Sequence, residues 1–365
     1  MHKTKEPLFH IVKRVDVPWH FSWCVRAVSI LLALICCGVI STIVTKDNPI
    51  QIFATIIDGS FGSARKFMVL LQNTAMMLCV ALALTPAFKM RFWNIGGEGQ
   101  ALIGALAAAA CIILMKDQSN GLVITCMVIA SICAGALWGA IPAFFKAKFG
   151  TNETLFTLMM NYVAIQLVAY FSVVWENPKG SGNIGVINPN TQIGWFPDIF
   201  GSKYALNILI VALLTICVYI YLNYTKHGYE ISVVGESERT ARYVGIKVEK
   251  IIIRTMLISG AICGLAGLLL VGGTNHTLNA SIVDGRGFTA VMVSWLGKFN
   301  PIWMILTSFL LVFLGRGAGE IATDFGLNAS FGDILTGIIL FFIIGCEFFI
   351  NYKISLTKSV KKEEK

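Results

Sequence analysis

Stretch after stretch of this chain is long enough to cross a lipid bilayer and carries no charge. That pattern limits the fold more than any other feature. Residues 67–88 are 22 consecutive residues without a charged side chain, and residues 99–115 are uncharged as well. The hydrocarbon layer of a membrane takes about 20 mostly apolar residues of helix. No water meets the backbone there, so only helices or closed barrels can cross it. Span-length candidates lie at 27–45, 67–88, 99–115, 121–145, 154–175, 204–225, 255–274, 299–315 and 334–352. An apolar piece at 287–297 is about half a span long. The expected fold class is all-α: a polytopic transmembrane bundle of about ten membrane segments, one of them short or re-entrant. Composition agrees, with 13% charged residues against about 25% in a soluble domain.

Charge orients the spans. With the N-terminus inside, 21 of the 29 Lys and Arg residues fall in inner segments and 8 in outer ones. That bias puts both termini in the cytoplasm. The net charge of +9 therefore consists of topology signals scattered between apolar runs. It does not form a basic face for nucleic acid. The first run, Ala27 to Thr45, exceeds a signal-peptide core and is read as a retained span. The expected organisation is a cytoplasmic tail at 1–26, one transmembrane domain at 27–352 and a basic cytoplasmic tail at 353–365. The ten Cys have no C-x-x-C pattern and the five His no ligand spacing, so no metal is expected.

The second constraint is local. Phe92-Trp93-Asn94-Ile95-Gly96-Gly97-Glu98-Gly99-Gln100 is a polar, glycine-rich break between two apolar runs. An acidic residue at the centre of a span costs about 2.5–3.5 kcal/mol on insertion scales. Irregular backbone at such depth persists only where protein or a water-filled cavity covers it. Asn94, Glu98 and Gln100 are therefore candidates for a transport pathway. Thr157 and Asn161 join them, because residues four apart share a helix face. Small residues repeat at Ser131, Gly135 and Gly139, and at Gly260, Gly264 and Gly267, a spacing that lets helices pack closely.

Two loops carry further information. The outer loop 176–203 is rich in Gly, Asn and Pro and is a connector or a partner surface. In the inner loop 226–254, Ser237 can cap a short helix, with Glu238 in its first turn and Gly245 at its end. Such a helix carries Arg239, Arg242 and Tyr243 toward a soluble partner. No phosphate-binding loop or nucleophile elbow is present. The chain is read as a transport subunit rather than an enzyme, driven by another chain or by an ion gradient. An ion-coupled secondary transporter, with Glu98 or Glu153 carrying protons, is the rival reading.

The block FWNIGGEGQALIGA resembles the F-N-I-G-x-E-G-Q signature of bacterial ABC importer permeases for nucleosides. These are related to permeases for ribose-type sugars and branched-chain amino acids. GTNETLFTLMMNYVA at 150–164, the segment 235–270 and GRGFTAVMVSWLGKFNPI at 285–302 follow in the family's order. Trp93 is an added aromatic, and Gly235-Glu236-Ser237 stands where similar permeases often carry a Gly-x-Asn stretch. The resemblance implies one membrane half of a type II-like ABC importer in the bacterial cytoplasmic membrane, surrounded by lipid and carrying no cofactor of its own. A separate cytoplasmic ATPase would use the ATP and receive the coupling segment Glu236, Ser237, Glu238, Arg239, Arg242, Tyr243 and Gly245. A related permease or a second copy would form the other half, and an extracytoplasmic lipoprotein would deliver the solute. Asn94, Glu98, Gln100 and Asn161 would then meet base and ribose, with Phe92 and Trp93 as an apolar wall. A ribose-type sugar or another small polar solute is the alternative cargo.

Overall fold

The computed structural model describes residues 9–14, 17–46 and 48–356. The outermost parts of both expected tails lie outside the described residues. Strand β1 (Phe9–Lys13) leads into α1 (Trp19–Thr45), α2 (Pro49–Phe61), α3 (Ala64–Lys89), α4 (Gly97–Leu114) and α5 (Asn120–Phe149). Then come α6 (Glu153–Val174), α7 (Ala205–Tyr224), α8 (Lys226–Glu236), α9 (Glu238–Tyr243) and α10 (Val248–Leu270), which runs on into a π-helical turn, Val271–Asn275. Helices α11 (Arg286–Leu296), α12 (Pro301–Asp324) and α13 (Ala329–Asn351) and strand β2 (Tyr352–Leu356) complete the chain.

Nine of the helices described are long and apolar enough to cross a membrane. With the 11-residue α11 they match the ten expected segments. The chain is thus an all-α polytopic transmembrane bundle. Several helices run past the apolar stretches that predict them, because their charges find partners. Helix α10 begins inside the expected inner loop, where Glu249 pairs with Arg242 at 2.7 Å and Arg254 with Glu230 at 3.0 Å. Helix α5 continues through Lys146, which pairs with Glu153 at 2.8 Å, and stops at Gly150 in the left-handed region.

The contacts group the described residues into two compact units. One unit comprises the described residues up to Lys66 and from Phe313 onward. Here α1 packs on α13, with Arg26 bonded to Glu347 at 2.6 Å. Strands β1 and β2 pair antiparallel from Phe9↔Leu356 to Lys13↔Tyr352. The segments before α1 and after α13 therefore lie side by side at one end of that helix pair. Helix α2, capped by the Asn48 side chain, is too short to span and is absent from the sequence expectation.

The other unit, Phe67–Val312, is built on α4, α5 and α10. The predicted small-residue stripes meet there. A side chain at Gly135 would run into the carbonyl of Gly260, and one at Gly264 into that of Ser131. The Ser131 hydroxyl then donates to the Gly104 carbonyl at 2.9 Å. The loop 176–203, expected to be an outer one, is laced to the far end of α10. Phe196 N–H donates to Gly272 O at 2.9 Å, and Trp195 stacks on His276 with ring centroids 3.8 Å apart.

Candidate functional site

Helix α3 stops at a left-handed residue, Arg91, with φ of 60°. The Phe92 N–H turns back to the Ala87 carbonyl at 2.9 Å and the Arg91 N–H to Phe88 at 2.9 Å. This 6→1 closure satisfies the last carbonyls of α3 and drives Phe92 into the interior. The chain then crosses residues 93–96 without helical bonding and restarts as α4 at Gly97.

Side chains do the work that a helix ladder would do elsewhere. Asn94 is fully buried; its Oδ1 accepts from Gly96 N–H at 3.0 Å and Gln100 Nε2 at 3.2 Å. Its Nδ2 donates to Ser259 Oγ on α10 at 3.1 Å. On α6, Asn161 Oδ1 accepts from Gly99 N–H at 2.9 Å while Nδ2 donates to Ile95 O at 2.9 Å. Thr157 Oγ1 accepts from Ile95 N–H at 3.2 Å. Thr157 and Asn161 thus clamp the break from the single helix face that their spacing predicts. Exposed backbone polar groups inside a membrane are costly, and this network leaves few of them open.

Glu98 reaches a different element. Its Oε1 accepts from Gly285 N–H at 3.0 Å and its Oε2 from Gly287 N–H at 2.7 Å. These are among the N–H groups that the start of α11 leaves without an intrahelical partner, and a carboxylate is the favoured group there. Any side chain at Gly287 would collide with the Glu98 backbone. The glycine-rich break and the Gly285-Arg286-Gly287 start of α11 therefore meet through one acid.

Of the seven predicted pathway residues, the five polar ones are buried and bonded within the chain, and Phe92 is buried too. Trp93 differs: it is 43% exposed and stacks on Trp295 of α11, centroids 5.3 Å apart and 21° between planes. Phe299 packs edge-on against Trp295 at 5.2 Å. Ser259 and Trp295 are missing from the sequence expectation. Only the aromatic content of the 285–302 block hints at Trp295.

The short helix predicted after Ser237 is present as α9. The Ser237 hydroxyl accepts from Thr240 N–H at 3.2 Å, and Glu238 lies in the first turn. Gly245, with φ of 83°, ends the helix, while Ile246 N–H returns to Ala241 O at 2.9 Å. Ala241 points inward into a cluster with Ile231, Val234, Met90, Phe92, Val248 and Met256. Glu236, Arg239 and Tyr243 face outward, Tyr243 being 92% exposed. Gly235, at the end of α8, rests on the carbonyl of Lys89, so the loop sits directly on the end of α3. The short helix is thereby joined by packing to the break itself.

The model of a protein family described as branched-chain amino acid transport system / permease component matches residues 67–344. A guanosine ABC transporter permease protein of Bacillus subtilis is 28% identical over 323 residues, covering 87% of this chain and 92% of that one. A nucleoside ABC transporter permease protein of Lactococcus lactis subsp. cremoris is 27% identical, covering 90% and 92%. A glucose ABC transporter permease protein of Haloferax volcanii is 24% identical, covering 89% and 88%.

Proposed function

The chain belongs to the family of permease components of branched-chain amino acid transport systems, and from that premise we propose that it is the membrane-spanning half of an ATP-driven nucleoside importer. The observation that carries the mechanism is α9: a short helix with an exposed outer face, anchored from beneath by Ala241 to the cluster holding Phe92. A cytoplasmic ATPase docks on Arg239, Tyr243 and their neighbours Glu236, Ser237, Glu238, Arg242 and Gly245. It uses the ATP. When two ATPase subunits close, α9 moves with them. Its packing and the contact of Gly235 with Lys89 carry that movement to the break. Glu98 passes it on to α11. A bistable bundle of this kind alternates access between two sides.

In this reading Asn94, Gln100, Thr157 and Asn161 form the frame of the moving gate. Trp93 and Trp295 offer the flat aromatic surface that a nucleobase stacks on. Both termini lie on the cytoplasmic side of a bacterial cell membrane, as the charge bias argues. A second permease, a paralogue or a copy of this chain, completes the pathway, lipid surrounds it, and an extracytoplasmic lipoprotein supplies solute. A sugar is the second reading of the cargo, favoured by the likeness to the Haloferax glucose permease.

The coupling claim has a direct test. Alanine at Arg239 and Tyr243 leaves insertion and the basal ATPase rate of the assembled transporter intact and lowers uptake at least tenfold. Uptake at the normal rate would remove α9 from the mechanism.

A further inference from the structure

The unit Phe67–Val312 also holds a polar cleft of about 240 Å³ between the early turns of α3, the π-helical end of α10 and the approach to α11. Its chemistry is set by Gln72, Asn73, Thr274, Asn275, Asp284 and Arg286. Gln72 is 1% exposed, and its Nε2 donates to Thr274 Oγ1 at 2.8 Å. The pair forms part of the cleft's wall and fixes its shape. The Arg286 side chain is 14% exposed and, among the described residues, makes long bonds, to Val283 O at 3.3 Å and Asn73 Oδ1 at 3.4 Å. Asp284, 81% exposed, stands 4.0 Å away at the mouth.

We propose that this cleft binds the diol face of a pentose, as the entry site for the sugar part of the solute; the proposal rests on the nucleoside-importer reading above. Three observations select that ligand class. One cation and one anion line the cleft, so neither a phosphate nor an ammonium group is favoured. Amide, hydroxyl, carboxylate and guanidinium groups mix donors with acceptors, which suits hydroxyls that do both. The volume fits one small ring, below the 300–1,000 Å³ of sites for larger molecules, and the six named side chains include no aromatic. The cleft is therefore suited to the sugar and not to the base.

Position agrees. Helix α10 starts at Val248, in the cluster beneath α9, and its π turn ends at Asn275 in the cleft. About 28 residues of helix separate the two by roughly 40 Å. The cleft thus lies at the end of α10 away from the coupling helix, where an importer receives its solute. Arg286 also sits between Gly285 and Gly287, whose N–H groups Glu98 holds. A ligand drawing on Arg286 bears directly on the start of α11.

The test compares sugars. Cells carrying the complete transporter are given saturating tritiated guanosine or uridine, or the 2′,3′-dideoxy counterpart of each, and initial ATP-dependent uptake is measured. The binding protein is identical in every arm, so its selectivity cancels between variants. The wild type should favour the ribosides. Gln72→Leu should cut the riboside-to-dideoxyriboside ratio at least fivefold. Asp284→Asn, at an exposed position whose φ of 58° suits asparagine, should cut it two- to threefold. The second variant keeps the test valid if the first does not fold. An unchanged ratio in Asp284→Asn and in any folded Gln72→Leu overturns the site, even if both rates fall together. Absence of uptake of either nucleoside by the wild type overturns the cargo reading and this site with it.

Discussion

At the residue scale, Glu98 has two acceptor oxygens and two backbone donors, and the match explains why an acid occupies a costly depth. Glu98→Gln keeps the volume but turns one oxygen into an NH2 group that faces an N–H. Hydrogen bonds to charged groups contribute about 1.5–3 kcal/mol. The variant should therefore lose about 2 kcal/mol of stability, seen as a lower unfolding temperature in detergent, and uptake should fall at normal expression. An unchanged melt would mean that the α11 start does not depend on Glu98. His276 supplies a pH test. Burial, and then Lys203, hold its imidazole below the usual range. The folded loop thus binds its proton less readily than the unfolded one. Stability from the neutral ring is complete above the ordinary value of about 6.5 and is lost as pH falls toward the lower folded value. Limited proteolysis of loop 176–203 should be faster at pH 5.5 than at 7.5, and His276→Asn, which suits the left-handed φ of 51° and has no titrating ring, should abolish the difference. Equal cleavage of the unmodified chain at both pH values would contradict it. The residue types at the break were legible in the sequence, but their partners were not. Asn94 meets Ser259 165 positions away and Glu98 meets Gly285 187 positions away. Nothing local encodes such pairings.

At the element scale, α9 was legible because its signals are local. Ser237 and Gly245 act on their own turns, and each bond they make spans only a few residues. The true start of α10 was hidden because Arg254 and Glu230 neutralise each other from separate elements. Helix α2 was hidden for a simpler reason: 13 residues fall short of a span. The joint between α8 and α3 yields the element-scale prediction. A side chain at Gly235 would occupy the place of the Lys89 carbonyl. Gly235→Val should push the loop that carries α9 off α3, leaving ATP hydrolysis by the assembled transporter but lowering uptake about tenfold or more. Retained uptake at the wild-type rate would show that this contact transmits nothing.

At the scale of the whole molecule, the apolar runs fix the class, since repeated uncharged spans leave no other solvent for the chain but lipid. Their number and order were readable from residue 27 to 352. The grouping of contacts into two units was not, because it depends on which helices touch, and span hydrophobicity is alike for all of them. The family match, the exposed α9 and the lack of a phosphate-binding loop in the sequence converge on one account: a permease whose energy is supplied by a separate subunit. The measurement that tests it most directly is uptake of tritiated guanosine into proteoliposomes holding this chain, its partner permease and the ATPase, with the binding protein added. The account predicts accumulation that requires ATP and is abolished by a hydrolysis-deficient ATPase. It also predicts that collapsing proton and sodium gradients leaves accumulation unaffected. Accumulation that proceeds without ATP and follows an ion gradient would contradict it.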